Sequence, residues 1–528
     1  MALMSRWNIK FALLCLLLLV VVGCQPRREI PRDTLVIGQV AEPMSLDPHR
    51  TTALNDFRIA ANVYEGLVRF RAGTLEIEPG LASQWSVSPD GLRYVFDLQE
   101  GITFHDGTPF DAEAVRFNLE RMLKEDHAYA HTGPFPLSFF FNSIVSIETP
   151  SPFQVVLVLD EPFAPLLSNL ASPTGFMVSP AAVEKHEEMF GRNPVGTGPY
   201  QFARWESNRL VELEQFPDYW DGEVRTEKLI FRPITDENAR LTELLAGGVD
   251  LVAEVPPDII QYLREHEDFR TVEAEGPHLW FLILNTRHGP FADVRVRQAI
   301  NYAIDRKSMV EHLLQNTATA GVGAIPRAFA WAVDPSLEPY PYDPDKARAL
   351  LDEAGVENVS LTLYATESGS GMLAPREMAV AIQGDLSRVG VQVRIETFEW
   401  NSFLARVNAG LGEDVDMAQM AWMINDPDTL PFLALRREAW PEAGGFNSGY
   451  YDNAELDELL IKARRALSQE QRAELYQEVD RLVYDDAPWV FVASWKQNAV
   501  AHKSVQNLQL EPSFLFLLRN VWKHELTE

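Results

Sequence analysis

Residues 81–122 read LASQWSVSPDGLRYVFDLQEGITFHDGTPFDAEAVRFNLERM, and within this stretch the hydrophobic period changes. In LRYVFDL (92–98) apolar residues alternate with polar ones, which predicts a half-buried strand. After Asp111, which can cap a helix, apolar residues recur at helical spacing. Strand-like alternation returns in FQVVLVLD (153–160). The chain from about 75 to 160 therefore predicts a β-meander with one inserted helix.

Further along the chain, predicted strands alternate with predicted helices through most of residues 200–490. One helix is expected over 293–314, where apolar side chains form a single stripe. A second is expected over 343–355, because an Asp-Pro pair stands at its start and a glycine at its end. This alternation favours α/β lobes over an all-β body.

The N-terminus carries the pattern of an export signal. Two basic residues precede FALLCLLLLVVV (11–22), an apolar run that is too short to span a bilayer as a helix. The run ends in VVGC (21–24), which resembles a bacterial lipobox, where the cysteine is lipidated and becomes the first mature residue. An ordinary signal with a chance cysteine is the alternative. We expect residues 1–23 to be removed and Cys24 to carry the lipid.

Cysteine count and charge narrow the class of protein further. The two cysteines are Cys15, inside the signal, and Cys24, so the exported protein would have no free thiol and no disulfide. The 46 Lys and Arg residues against 76 Asp and Glu give a formal net charge of −30, with no basic patch, which argues against nucleic acid as a partner. No later apolar run approaches the length of a transmembrane helix. The protein would therefore be attached to the membrane only through the lipid on Cys24.

Motifs of the common enzyme classes do not occur in the sequence. There is no G-x-S-x-G elbow, no Walker A motif and no G-x-G-x-x-G. His127 and His131 have i, i+4 spacing, but Gly133 follows at once and no acidic ligand lies at a supporting spacing, so we expect no metal site. We also expect no cofactor. The sequence favours a binding protein, with a lipid-anchored hydrolase as the alternative from another class.

A cluster of side-chain acceptors ends the apolar run in AWMINDPD (421–428). Pro427 has no N–H and disfavours the helical region for the residue before it, so the predicted strand should end in a loop. One interpretation is a solvated turn. The other is a ligand pocket with Trp422 as a wall. Its acceptors for a cationic ligand group would be Asn425, Asp426 and Asp428.

Two further tryptophans, Trp280 and Trp400, lie in or beside predicted strands of the second half of the chain. Either residue could belong to a core. Flat apolar walls of this kind also suit a pocket for an extended ligand of variable composition.

Long blocks of the sequence resemble the family 5 extracellular solute-binding proteins of bacterial ABC importers, which bind dipeptides, oligopeptides, nickel complexes and related solutes. Residues 81–122 are similar to the most distinctive block of that family. The other similar blocks, in chain order, are SLDPH (45–49), YEGL (64–67), PVGTGPYQFARW (194–205), PDYWDG (217–222), FLILNTRHGPFADVRVRQAINYAIDR (281–306) and YDPDKARALLDEAG (342–355).

The resemblance implies an α/β, two-lobed periplasmic-binding-protein (Venus-flytrap) fold, with an extra domain inserted in the first lobe and the solute enclosed between the lobes. Two crossover segments near 270–280 and 490–500 would join the lobes. The expected divisions are the signal peptide at 1–23, a tether at 24–33, a discontinuous lobe I at 34–65, 178–278 and 496–528, the extra domain at 66–177, and lobe II at 279–495.

The resemblance also bears on the 421–428 loop. In peptide-binding relatives, an aspartate three residues after the tryptophan pairs with the ligand's α-ammonium, and here that position is Asn425. An amide loses the charge-assisted bond, so Asp426 or Asp428 could take over. Gln419 stands where some oligopeptide binders carry an arginine for the ligand carboxylate. The full expected ligand-binding set is Thr52, Ala53, Leu54, Trp280, Trp400, Gln419, Trp422, Asn425, Asp426 and Asp428.

From these observations we expect a monomeric, lipid-anchored component of an ABC importer, held at the cell envelope in the periplasm or on the outer face of the cytoplasmic membrane. It would capture peptides and deliver them to the permease subunits. The alternatives are another solute in the same cleft, such as a nickel chelate or a glutathione-like compound, the hydrolase already mentioned, or a chaperone-like structural protein.

Overall fold

A computed structural model describes residues 31, 33–357, 359–369, 371–372 and 374–524 of the chain. The predicted signal peptide and Cys24 lie outside these residues, as does most of the predicted tether. Among the described helices, none is long and apolar enough to cross a membrane.

Strands and helices alternate along most of the described chain. The strands, in chain order, are β1 (Thr34–Gln39), β2 (Val68–Phe70), β3 (Ile77–Pro79), β4 (Ala82–Val87), β5 (Arg93–Leu98), β6 (Ile144–Ser151), β7 (Gln154–Leu159), β8 (Tyr200–Glu206), β9 (Leu210–Gln215), β10 (Lys228–Pro233), β11 (Leu251–Ala253), β12 (Phe269–Glu275), β13 (His278–Leu284), β14 (Ala318–Ala320), β15 (Ser360–Thr366), β16 (Gln392–Phe398), β17 (Met417–Met423), β18 (Trp489–His502), β19 (Val505–Gln506) and β20 (Trp522–Lys523).

The α-helices of the described chain are shorter than 20 residues each. In chain order they are α1 (Leu54–Ala60), α2 (Ala112–Leu123), α3 (Leu166–Ala171), α4 (Pro180–His186), α5 (Glu237–Leu245), α6 (Pro257–Glu265), α7 (Val294–Ala303), α8 (Arg306–Ser308), α9 (Pro344–Glu353), α10 (Pro375–Ser387), α11 (Trp400–Asn408), α12 (Thr429–Ala434), α13 (Ala454–Arg465) and α14 (Gln469–Asp486).

The largest sheet within the described residues has twelve strands, and β18 holds its two halves together. Its main order is β16-β15-β17-β13-β18-β11-β1-β10-β9-β8, and β12 and β14 also pair with β18. The first half of β18 pairs with β13 and β14, and the second half pairs with β11 and β12. We call the half that contains β1 and β8–β12 lobe I, and the half that contains β13–β17 lobe II.

The chain passes between the lobes at two neighbouring places. One is the turn at Gly276 and Pro277, between β12 and β13, and the other is β18 itself near residues 494–498. Separate hydrophobic cores lie on the two faces of each half-sheet. Each lobe can therefore hold its own shape if the lobes move relative to each other.

The opening stretch of the sequence forms a smaller sheet with its own core, in the order β4-β5-β7-β6. The alternation in LRYVFDL gives β5, and α2 begins after Asp111, whose carboxylate accepts the N–H of Ala114 at 3.0 Å. The predicted meander and helix are confirmed. Arg121 of α2 pairs with Asp47 at 2.6 Å with both side chains fully buried, which fixes this region to lobe I. We call residues 66–177 the inserted region.

The structure confirms the helix predicted over 343–355 as α9, where the Asp343 carboxylate accepts the N–H of Lys346. The continuous helix predicted over 293–314 is wrong. Helix α7 ends before Ile304, which is extended, and the Asp305 side chain caps a new turn by accepting the N–H of Ser308 at 2.9 Å. A capping residue inside an apolar stripe has divided the helix.

His278 occupies the first crossing between the lobes and is fully buried. Its Nδ1 accepts the N–H of Trp495 at 3.0 Å, so its Nε2 carries the proton and donates to the carbonyl of Gly371 at 2.8 Å. Burial lowers the pKa of His278 from 6.5 to about 4. The ring is therefore neutral over the range in which an unfolded histidine gains a proton.

We predict that His278 makes folding stability depend on pH. Its folded pKa lies below its unfolded pKa, so the unfolded state binds more protons between pH 4 and 6.5, and stability falls as the pH drops through that range. The deficit of His278→Gln in the free energy of unfolding should be larger at pH 6.5 than at pH 4.5 by about 2 kcal/mol. Urea unfolding at the two pH values measures this, and an equal deficit at both would contradict the assignment.

Candidate ligand-binding site

Two of the predicted tryptophans line one cavity of about 240 Å³ on lobe II. Trp422 belongs to β17, and Trp400 is the first residue of α11, where the Glu399 carboxylate caps the helix by accepting the N–H of Asn401 at 3.0 Å. The other apolar walls include Phe281, Leu404, Met420, Phe446 and Trp489. Such a cavity can accept a flat or branched apolar group.

The cavity has a geometry suited to an aromatic or aliphatic side chain. Phe446 meets Trp422 edge-on, with ring centroids 5.4 Å apart and an interplanar angle of 79°. Asn408 and Ser448 are polar residues among the lining. Trp422 pairs with Leu279, two residues beyond Pro277, so the cavity begins at the edge of lobe II beside the crossing between the lobes.

Trp280 is on the opposite face of the same half-sheet. It is fully buried and packs in a core with Leu282 and Leu284, whereas Phe281 faces the cavity. Successive residues of a strand point to opposite faces, so a role for Trp280 as a ligand wall does not fit this position. Its indole N–H has no hydrogen-bond acceptor among the described residues.

The two aspartates of the 425–428 loop are buried and already paired, contrary to the expectation that they are free acceptors. Asp426 binds the guanidinium of Arg472 at 2.5 Å. Asp428 accepts two hydrogen bonds from Arg464, at 2.5 and 3.1 Å to the same oxygen, and one from the Tyr476 hydroxyl at 3.3 Å. Neither carboxylate remains available for a ligand ammonium in this arrangement. The expected role of Asp426 and Asp428 as free acceptors for a cationic ligand group is therefore corrected: both balance arginines of the protein.

The pair with Asp426 explains why Arg472 stays protonated although it is buried. Burial disfavours its cation, but the negative charge of Asp426 outweighs that effect, and the pKa of Arg472 is raised. A buried carboxylate requires such a partner, because an unpaired charge inside a protein is costly. Sequence reasoning missed Arg464, which lies on α13, and Arg472 and Tyr476, which lie on α14, because all three are far from the loop in sequence.

Two further residues of the predicted ligand-binding set, Gln419 and Asn425, form hydrogen bonds within the protein. The Gln419 side chain is buried, donating to the Pro375 carbonyl at 2.7 Å and accepting the N–H of Thr366 at 3.3 Å. Asn425 is half-buried and donates to Asn169 of the inserted region at 2.8 Å. Gln419 therefore shapes lobe II instead of presenting a free polar group.

Thr52 is exposed, and Ala53 and Leu54 are half-buried at the start of α1 in lobe I. They are not among the residues that line the tryptophan cavity in this structure. Their role in ligand binding stays a prediction.

The histidines considered as metal ligands do not share a helical face. His127 packs edge-on against Phe117, with ring centroids 5.0 Å apart. His131 lies near Glu187 and Glu188, at 3.8 and 4.0 Å, but all three side chains are about half exposed. Exposed groups of this kind are common without an ion and define no pocket.

Taken together, the fold and the cavity define a two-lobed α/β binding protein that can enclose a solute at the junction of its lobes. A sequence profile of the bacterial extracellular solute-binding proteins, family 5, matches residues 76–440. The chain belongs to this family. The family consists of binding proteins, which excludes the hydrolase alternative.

Known relatives cover nearly the whole chain. Di/tripeptide-binding protein 2 of Pseudomonas aeruginosa is 31% identical over 516 residues, covering 94% of this chain and 96% of the relative. The glutathione-binding protein GsiB of Pectobacterium atrosepticum is 29% identical, covering 92% of each chain. Among solved structures, the ABC transporter-associated periplasmic binding protein DppA of Helicobacter pylori, in complex with the peptide STSA, superposes with a TM-score of 0.77 at 28% identity, covering 93% of this chain and 98% of that one.

We predict that Asp426→Asn acts mainly on stability. It would leave the Arg472 cation buried without a counter-charge, which should lower the free energy of unfolding by about 3–5 kcal/mol. Adding Arg472→Met removes the stranded charge and should recover part of that loss. Urea unfolding of both variants measures the effect.

Glu148→Gln is the matched control, because its pair with Arg93 is about half exposed on both sides. Such a pair contributes only about 0–1 kcal/mol. If Asp426→Asn kept the stability of the unmodified protein but lost ligand affinity, Asp426 would be a ligand acceptor after all.

Proposed function

We propose that this protein captures short peptides between its lobes as the extracytoplasmic solute-binding component of an ABC importer, and delivers them to the permease. The observation that carries the proposal is the tryptophan-lined cavity beside the crossing between the lobes. The proposal is supported by the relative named as a di/tripeptide-binding protein and by the related DppA with its bound peptide.

The cavity favours recognition of a peptide through an apolar side chain. Its walls are mainly aromatic and aliphatic, and no cationic or anionic side chain stands among its described lining residues. Asp426 and Asp428 are occupied by arginines, so the ligand's ammonium would be held by groups other than these two carboxylates. We therefore infer that side-chain shape contributes more to selection than a charge on the 425–428 loop.

Another solute in the same cleft is the second candidate, because the GsiB relative is named for glutathione. Glutathione carries two carboxylates, which require cationic or N–H partners when they are buried. The lining of the tryptophan cavity offers no cation among the described residues, so this cavity suits an apolar side chain better. Competition between a phenylalanine-containing tripeptide and glutathione separates the two candidates.

We predict that Trp422→Ala and Trp400→Ala weaken the binding of Ala-Phe-Ala by about ten- to a hundredfold, since each removes a large apolar wall worth roughly 1.5–3 kcal/mol. The binding of Ala-Gly-Ala should change much less, because glycine places no side chain in the cavity. Isothermal titration calorimetry measures both ligands.

Trp522→Ala is the matched control, because Trp522 is 38% exposed in β20 and away from the cavity. Equal losses for the two tripeptides would show that the cavity does not receive the central side chain. An unmodified protein that bound neither tripeptide would overturn the peptide proposal.

The lipid anchor is the second part of the proposal. Cys24 follows a short apolar run, and acylation there would hold the protein at the membrane surface beside the permease, most simply as a monomer. We predict that Cys24→Ser transfers the protein from the membrane pellet to the soluble fraction after cell fractionation, whereas Cys15→Ser does not. A Cys24→Ser protein that still sediments with membranes would mean that another element provides the anchor.

A further inference from the structure

The inserted region contacts lobe II directly through α3 and the 425–428 loop. The Ser168 hydroxyl donates to Asp426 Oδ2 at 2.9 Å, which is the oxygen that Arg472 leaves open. The side-chain amide of Asn425 donates to Asn169 Oδ1 at 2.8 Å. Both bonds join parts of the structure that have separate hydrophobic cores.

A second set of contacts lies next to the first, at the end of α13. The N–H of Ala164 donates to the carbonyl of Arg464 at 2.9 Å, and the guanidinium of Arg464 lies 5.3 Å from the centre of the Phe163 ring. Arg465 pairs with Glu161 at 2.6 Å, with both side chains about half exposed. The two sets together join the inserted region to lobe II away from the crossing segments.

The contacts between the inserted region and lobe II are weaker than the buried ion pairs inside lobe II. The Asp426–Arg472 and Asp428–Arg464 pairs lie wholly within lobe II and would persist if the inserted region moved away. The bond between Asn425 and Asn169 joins two neutral groups, and the bond of Ser168 has one charged partner, the Asp426 carboxylate. Water could replace either bond if the inserted region moved away. Lobe II thus provides a rigid base, and the contacts across the gap are individually weak and reversible.

We propose that residues 161–169, with Asn425, Asp426 and the Arg464–Arg465 end of α13, form a clasp that holds the inserted region against lobe II and stabilises the closed form without a ligand. Because the inserted region is fixed to lobe I through Arg121 and Asp47, closing the clasp also fixes lobe I relative to lobe II. The clasp sets the ratio of closed to open protein, and through it the apparent affinity for a solute.

The test weakens the clasp at one exposed ion pair and at one part-buried hydroxyl, and it leaves the buried ion pairs within lobe II intact. Glu161→Arg places a cation opposite Arg464 and Arg465, and Ser168→Ala removes one bond with little change in shape. Glu148→Arg is the matched control, because it reverses an equally exposed charge of the inserted region that pairs with Arg93 of the same sheet. Adding Arg465→Glu to Glu161→Arg restores an opposite-charge pair with the signs exchanged.

Small-angle X-ray scattering measures closure as a decrease in the radius of gyration, and the Cys24→Ser background, which is expected to be free of the lipid, is used without ligand. The radius of gyration should increase in Glu161→Arg/Ser168→Ala, stay unchanged in Glu148→Arg and return toward the starting value when Arg465→Glu is added. No increase in the double variant, or an equal increase in Glu148→Arg, would overturn the clasp. Retention of the unfolding midpoint in urea shows that the variants are folded.

The ligand arm of the experiment rests on the proposed function. With saturating Ala-Phe-Ala, the double variant should close to the same radius of gyration as the unmodified protein. Its affinity should be about two- to tenfold lower, because loss of the Ser168 hydrogen bond and of the exposed Glu161–Arg465 pair leaves more of the protein open before binding. If the ligand-free variants behave as expected but no tripeptide binds the unmodified protein, the peptide proposal fails and the clasp stands.

Discussion

Strand β18 is the constraint on which both lobes depend. Its first half completes the sheet of lobe II beside β13, and its second half completes the sheet of lobe I beside β11 and β12. One backbone bonded to both sheets joins the lobes, so any relative motion of the lobes would be a bend at β18 and the neighbouring turn. The C-terminal segment braces this point. Phe514 stacks on Trp495 with ring centroids 5.2 Å apart, and a side chain at Gly276 would collide with the Phe514 ring.

The same constraint decides what a ligand would meet. The tryptophan cavity belongs entirely to lobe II, and its shape is set by strand alternation in β17 and by the capped start of α11. Residues at the start of α1 belong to lobe I, so a bend at β18 changes their distance from the cavity. Under the proposed function, the cavity would contribute binding energy before closure, and closure would add contacts from the other lobe.

Local signals in the sequence were enough to predict much of the fold. Alternation identified β5, and capping residues identified α2 and α9, because each signal lies within a few residues of the element that it specifies. The prediction of one continuous helix over 293–314 was wrong because it relied on the apolar stripe alone. The local capping side chain of Asp305 starts a new turn within that stripe. Residue type singled out Trp422 and Trp400, which line one cavity in the structure, but the face of Trp280 depended on the strand register, which the sequence did not reveal.

The 425–428 loop shows why the site was harder to predict than the fold. In the sequence its two aspartates have no cation nearby, because Arg464 and Arg472 lie 36 and 46 residues away from their partners. A carboxylate buried this deeply needs a cation, and the physical question is whether the ligand or the protein supplies it. Here the protein supplies both cations, so the charge of the loop is balanced before any solute arrives. The balanced loop contacts the inserted region through Asn425 and Asp426, and under the proposed function the ligand would meet the neutral, aromatic surface beside the loop.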